Sequence, residues 1–152
     1  MPIELIHPML VHFPIVLAMT AFGCDLVWIA SPHRDPLTIP AFKVASVMLV
    51  AAGIAAILTA FFGDTAFDVA LSRGFSDAQL ETHQEMGIAT AIVLPALAGV
   101  RALVWFRRWE QRLPGALIVV SISALAAVMV AVTAYFGGEL VYGLGVNIHR
   151  AL

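Results

Sequence analysis

Thiol chemistry is nearly absent from this chain of 152 residues, in which Cys24 is the one cysteine. That excludes an intrachain disulfide, a paired-cysteine zinc site and covalent haem attachment through CxxCH, so any metal or haem must be held by other ligands. Charge is scarce as well. Only 12% of the residues are Asp, Glu, Lys or Arg, and the formal net charge is −2, which argues against a nucleic-acid partner. The segment before His7 contains neither Lys nor Arg, and the first apolar run continues to Ala30 without a cleavage box. A retained first span is therefore expected rather than a cleaved signal. No internal repeat or low-complexity segment stands out.

What the chain has instead is apolar surface. Hydrophobic residues make up 61% of it and the mean hydropathy is +0.96, more than a soluble domain of this size can bury. Four stretches reach the roughly 20 residues that cross a bilayer, near 8–30, 41–62, 85–106 and 115–137. The expected fold is an all-α, polytopic membrane protein, a single domain over 1–152 built as an up-down-up-down bundle of four transmembrane helices. Arg34, Lys43, Arg107, Arg108 and Arg112 fall on one side of it, against Arg73 and Arg150 on the other. The positive-inside rule then places both termini on the outer, periplasmic side of a bacterial inner membrane.

Local signals fill in the helices. Ser76 to Gln79, "SDAQ", has a capping-box pattern, and Pro14 and Pro95 fall inside spans, where each removes a backbone donor. "FGGEL" at Phe136 to Leu140 is expected to interrupt the fourth helix, and the tail "VYGLGVNIH" to fold over the outer mouth. The segment 67–80 has apolar residues at helical spacing and is expected as a short surface helix. Trp28, Trp105 and Trp109 suit the inner interface as anchors. Asp25 and Arg101 lie at comparable depth near the inner ends of the first and third spans. Either charge alone would cost on the order of 2.5 to 3.5 kcal/mol there, so they are expected to pair.

The histidines carry the chemistry. His33 lies in the inner "SPHRDP" loop, as a solvated turn residue, whereas topology gathers His7, His12, His83 and His149 at the outer end. His7 and His12, five residues apart, point roughly 140° apart round a helix and stand about 7.5 Å apart along it, so they are expected in two different sites, or as one ligand and one partner in the shell around it. His12 lies deeper, level with His83 on a diagonally placed helix. A diagonal pair of imidazoles across an apolar bundle is a means of holding a b-type haem. Gly87, one turn after His83, with Gly53 and Gly63, would open a flat slot, and Phe13, Phe61, Phe62 and Met86 would wall it. One haem on His12 and His83 is expected, and His7 and His149 would hold a second haem or supply a supporting hydrogen-bond shell. The competing set is zinc or copper on His12, His83, Asp64 and Glu139. No nucleophile is marked by spacing, so an electron-transfer protein or a structural, anchoring or transport subunit is expected rather than a self-contained enzyme.

"HPMLVHFPIVL" at His7 to Leu17, "GD" at Gly63 and Asp64, His83 followed by Gly87, and "GGELVYGLGV" at Gly137 to Val146 together resemble the bacterial predicted membrane proteins grouped as domain of unknown function number 2231. The resemblance spans nearly the whole chain, with the opening HPxxVHFP and closing GGxLVYxxGV strings as its specific parts. It implies redox work at the outer face, beside cytochrome c or Rieske modules, with periplasmic cytochrome c, quinol-linked proteins or partner subunits, and membrane lipid, as the company kept. The matched positions are His7, His12, His83, Asp64, Gly137, Gly138 and Tyr142; His149 has no counterpart in the pattern.

Overall fold

The computed structural model describes residues 3–31 and 38–146. Among these there are helices and no strands. A 3-10 turn at Ile3–Leu5 leads into α1 (Ile6–Leu10), which joins α2 (His12–Ala30) through Val11, a residue of helical φ and ψ whose N–H bonds the His7 carbonyl at 3.1 Å. Next come α3 (Thr38–Ser72), α4 (Asp77–Phe106), a 3-10 turn at Trp109–Gln111 and α5 (Leu113–Gly138), which runs on into a π-helical turn at Glu139–Gly143. Four of these helical stretches are long and apolar enough to cross a membrane: Ile6–Ala30, Pro40–Ser72, Asp77–Phe106 and Leu113–Gly143.

Packing follows a closed ring. α2 lies against α3 and α5, and α4 lies against the same two, so α2 and α4 are diagonal to one another, as are α3 and α5. The centre is built from small side chains, including Ala18, Ala21, Ala45, Ala52 and Ala126, with Leu49 and Leu94 among them. Small residues let helix backbones approach closely in the absence of a strong hydrophobic drive within lipid. Gly53 is one such place: a Cβ there would lie 3.1 Å from the Pro95 Cα. Gly53 is therefore a helix contact and not part of a cofactor slot. Val16, Val47, Ile54, Ile92 and Val128 point outward on all sides, as they must where the surrounding solvent is hydrocarbon.

Two expectations about the elements are corrected and one is met in part. No separate surface helix forms over 67–80, because α3 continues without interruption to Ser72; Ala66 and Ala70 stay buried at helical spacing, and the helix stops only where Gly74 takes a positive φ of 94°. The α-helical winding of α5 ends within "FGGEL", at Gly138, but the chain does not leave the helix there and continues as the π turn. Trp28 is not an interfacial anchor but packs with Phe42 in a buried cluster, ring centroids 5.1 Å apart.

The chain is also internally repeated, contrary to the first impression of its sequence. Buried Pro14, Ala18, Asp25 and Trp28 on α2 correspond one for one, at a constant offset, to buried Thr90, Leu94, Arg101 and Val104 on α4. Ala45, Leu49, Ala52 and Ala56 on α3 correspond in the same way to Val119, Ser123, Ala126 and Val130 on α5. The bundle is thus two copies of a helical hairpin, related by half a turn about the bundle axis.

At one pair of equivalent positions the repeat carries opposite charges. Arg101 donates to both carboxylate oxygens of Asp25, at 2.5 and 2.8 Å, and also to Ser46 Oγ at 2.9 Å and the Phe42 carbonyl at 3.2 Å. Ser123 donates a further short hydrogen bond to Asp25. Both charges are fully buried, and the expected tie between these helices is present. Its partners on α3 and α5 supply the extra hydrogen bonds that a desolvated ion pair needs.

Candidate functional site: a diagonal imidazole pair

The site lies at the opposite end from the ion pair, where the described chain begins and ends. His7, on α1, places Nδ1 2.9 Å from the carbonyl oxygen of Thr59 on α3. His83, on α4, places Nδ1 3.2 Å from the carbonyl oxygen of Thr133 on α5. A carbonyl can only accept, so each Nδ1 carries the proton and each Nε2 keeps a free lone pair. The two rings meet with centroids 6.0 Å apart and planes at 74°.

Each ring also needs the absence of a side chain beneath it. A Cβ at Gly63 would lie 3.1 Å from His7 Cε1 and Nδ1, and one at Gly137 would lie 2.9 Å from His83 Cε1. In each helix the accepting carbonyl and the glycine are one turn apart, at Thr59 and Gly63 and at Thr133 and Gly137. One turn puts both on the same face. The cradle is therefore the same pentapeptide used twice, "TAFFG" at 59–63 and "TAYFG" at 133–137. This near-identity was available in the sequence, and it is the signal that would have identified Thr59 and Thr133.

The surroundings are sealed on one side and polar on another. Ala70, Leu80 and Val146 form a small apolar cluster with Phe67, Phe75 and Leu140 at this end of the bundle. The start of the tail thus folds over the mouth as expected, through Val146. The Glu4 carboxylate meets Arg73 at 2.5 Å, fastening the N-terminal turn to the end of α3. Below the rings, Thr90 Oγ1 and Thr133 Oγ1 are 2.8 Å apart.

Placement of the expected residues is uneven. His83 is in the pair, but its neighbour is His7; His12 is exposed on α2, outside the pair. The angular step of five residues between the two positions gives the inward place to His7 and turns His12 outward. His149 lies outside the described residues. Gly87 faces open space, since a Cβ there would meet nothing within 4 Å, whereas Gly63 is filled by the His7 ring. Phe13 and Phe61 point outward, and Phe62 and Met86 are half-buried. Asp64 is exposed and hydrogen-bonds Gln84 at 3.5 Å, while Glu139 accepts from the Tyr135 hydroxyl at 2.9 Å. The four-residue set of His12, His83, Asp64 and Glu139 is not assembled, and no group of three or more His, Cys, Asp or Glu placed to hold a metal ion is found among the described residues.

Two protein ligands without a third have a chemical meaning. A structural zinc site takes four protein ligands, whereas haem iron brings four nitrogens of its own and asks for two axial ones. Two imidazoles opposed across one ion, with bonds of about 2.0 Å, have ring centroids roughly 6 Å apart. Two imidazoles with centroids 6.0 Å apart are the donor set that an iron with four porphyrin nitrogens takes.

A family model described as "Predicted membrane protein (DUF2231)" matches residues 4–150 of the chain. No curated protein and no solved structure matches.

Proposed function

The chain belongs to the predicted membrane proteins of domain of unknown function 2231, and on that premise we propose that it is a small b-type cytochrome whose haem is held between His7 and His83. The observation that carries this is the pair itself: two imidazoles from diagonal corners of the bundle, each fixed by an Nδ1–H bond to a backbone carbonyl and each with Nε2 free. Hydrogen bonding of the second ring nitrogen orients a ligating histidine and raises its basicity. Gly63 and Gly137 set the depth of each ring, and the apolar cluster around Leu80 limits the access of water. Open space at Gly87 supports room for a flat group beside the pair. A bound haem would supply one-electron transfer between a membrane donor and an acceptor outside it, the quinol-linked protein and the periplasmic cytochrome c being the partner classes that fit.

The protein spans the bacterial inner membrane in this proposal, with both ends of the chain in the periplasm. Among the described residues Lys43, Arg107, Arg108 and Arg112 gather at the far end and Arg73 at the near end, which supports that orientation. Reporter fusions to the C-terminus should be active only with a periplasmic enzyme such as alkaline phosphatase; fluorescence from a cytoplasmic reporter would reverse the topology.

Protein purified from cells supplied with haem should show a Soret band and a sharp α-band on reduction. His7→Ala and His83→Ala should abolish them, and His12→Ala should leave them in place. A colourless protein carrying copper or zinc by elemental analysis would move the pair to non-haem metal binding. Absence of both would leave a structural subunit.

A further inference from the structure

The two half-sites are equal in register and unequal in hydrogen bonding. Around Thr133 the polar groups are satisfied. Its hydroxyl is 2.8 Å from Thr90 Oγ1, and it lies 3.0 Å from the Met129 carbonyl and 3.3 Å from that of Met86. Thr59 occupies the corresponding place under His7. It is only 8% exposed, and its hydroxyl has no hydrogen-bond partner among the described residues.

The difference can be traced to one position. Pro14 stands on α2 where Thr90 stands on α4, and it is buried in the same register. Proline offers Thr59 no hydroxyl. It also has no N–H to return to the residue four before it, and that residue, Leu10, is the counterpart of Met86. By the same correspondence, in which Thr133 Oγ1 reaches the Met86 carbonyl at 3.3 Å, the unpartnered Thr59 hydroxyl and the Leu10 carbonyl, which has no Pro14 N–H to accept from, fall at equivalent places in the wall beside His7. In a bundle surrounded by hydrocarbon, a buried hydroxyl left without a partner is costly.

We propose that this spot is a binding site for a single water molecule, which accepts from the Thr59 hydroxyl and donates to the Leu10 carbonyl, taking the place of the Thr90 hydroxyl in the other half. A buried water needs polar partners on more than one side, and the two groups supply them. The Thr59 backbone carbonyl holds the His7 ring, so the water sits one residue's width from that imidazole. His83 is backed by a direct pair of hydroxyls instead. The site has a hydrated half and a dry half, whether or not iron lies between the rings, so this inference stands or falls separately from haem binding.

The sign of a stability change tests it. In the full chain in lipid nanodiscs, Thr59→Val removes a hydroxyl without changing shape. If water bridges Thr59 and Leu10, the variant loses a hydrogen bond and its Tm falls by about 2–4 °C. If the hydroxyl is dry and unpaired, the same substitution relieves a buried polar group; an unchanged or raised Tm overturns the proposal. A second measurement reads the asymmetry directly. By nitrogen-15 NMR, the His7 Nδ1 proton should exchange with solvent several-fold faster than that of His83, and Thr59→Val should remove the difference. Equal exchange in the unaltered protein would equally overturn it.

Discussion

At the scale of single residues, Gly137 shows how little separates a site from a clash. An alanine there would bring its Cβ to 2.9 Å from the His83 ring, closer than carbon atoms tolerate, and the ring would have to leave the Thr133 carbonyl. Gly137→Ala should therefore weaken or abolish the haem bands and lower stability by about 1–3 kcal/mol, as overpacking does, while the helical circular dichroism is retained. Gly63→Ala, at 3.1 Å from His7, should do the same less severely. The sequence made the gathering of histidines at one end legible, and also the divergence of His7 from His12. Depth along the helix points to His12, whereas His7 is the position in register with His83, as Asp25 is with Arg101 18 residues further along each helix. Thr59 and Thr133 are not marked by side-chain chemistry, because they act through main-chain oxygen.

At the scale of elements, the start of α4 was readable and the end of α3 was not. Gln79 Oε1 accepts from both the backbone N–H and the hydroxyl of Ser76, at 2.9 and 3.0 Å, as the "SDAQ" string foretells. Ser76→Ala should cost about 1 kcal/mol and should show as faster amide exchange confined to the first turn of α4. The length of α3 escaped because a bilayer-sized window ends near residue 62, whereas Ala66 and Ala70 keep packing beyond it. The π turn at Glu139–Gly143 is likewise a tertiary outcome. Leu144 N–H bonds the Glu139 carbonyl at 3.2 Å and Val146 N–H that of Leu140 at 3.0 Å, and this wider winding delivers Val146 to the apolar cluster with Leu80.

At the scale of the molecule, the duplication ties the two ends of the bundle together. His7 to Asp25 and His83 to Arg101 are each 18 residues, about five helical turns, so the imidazole pair and the ion pair close the same diagonal at opposite ends. Asp25→Ala should cost about 3–5 kcal/mol by leaving the guanidinium buried without its counter-charge. Asp25→Leu combined with Arg101→Met should be milder than Asp25→Ala alone, measured by reversible unfolding in mixed micelles. Four-helix topology was plain from hydropathy, and the charge pairing from depth. The repeat was not, because its copies share register and burial while most of their side chains differ.

The opposite charges at Asp25 and Arg101 bear on how the halves choose one another. Two first hairpins brought together would set aspartate against aspartate, and two second hairpins arginine against arginine, in a setting where like charges cannot be hydrated. The hairpins are therefore complementary strangers rather than interchangeable twins. In a crowded membrane, where neighbouring chains emerge side by side, that mismatch rejects same-with-same association and leaves each hairpin the unlike one that follows it in its own chain.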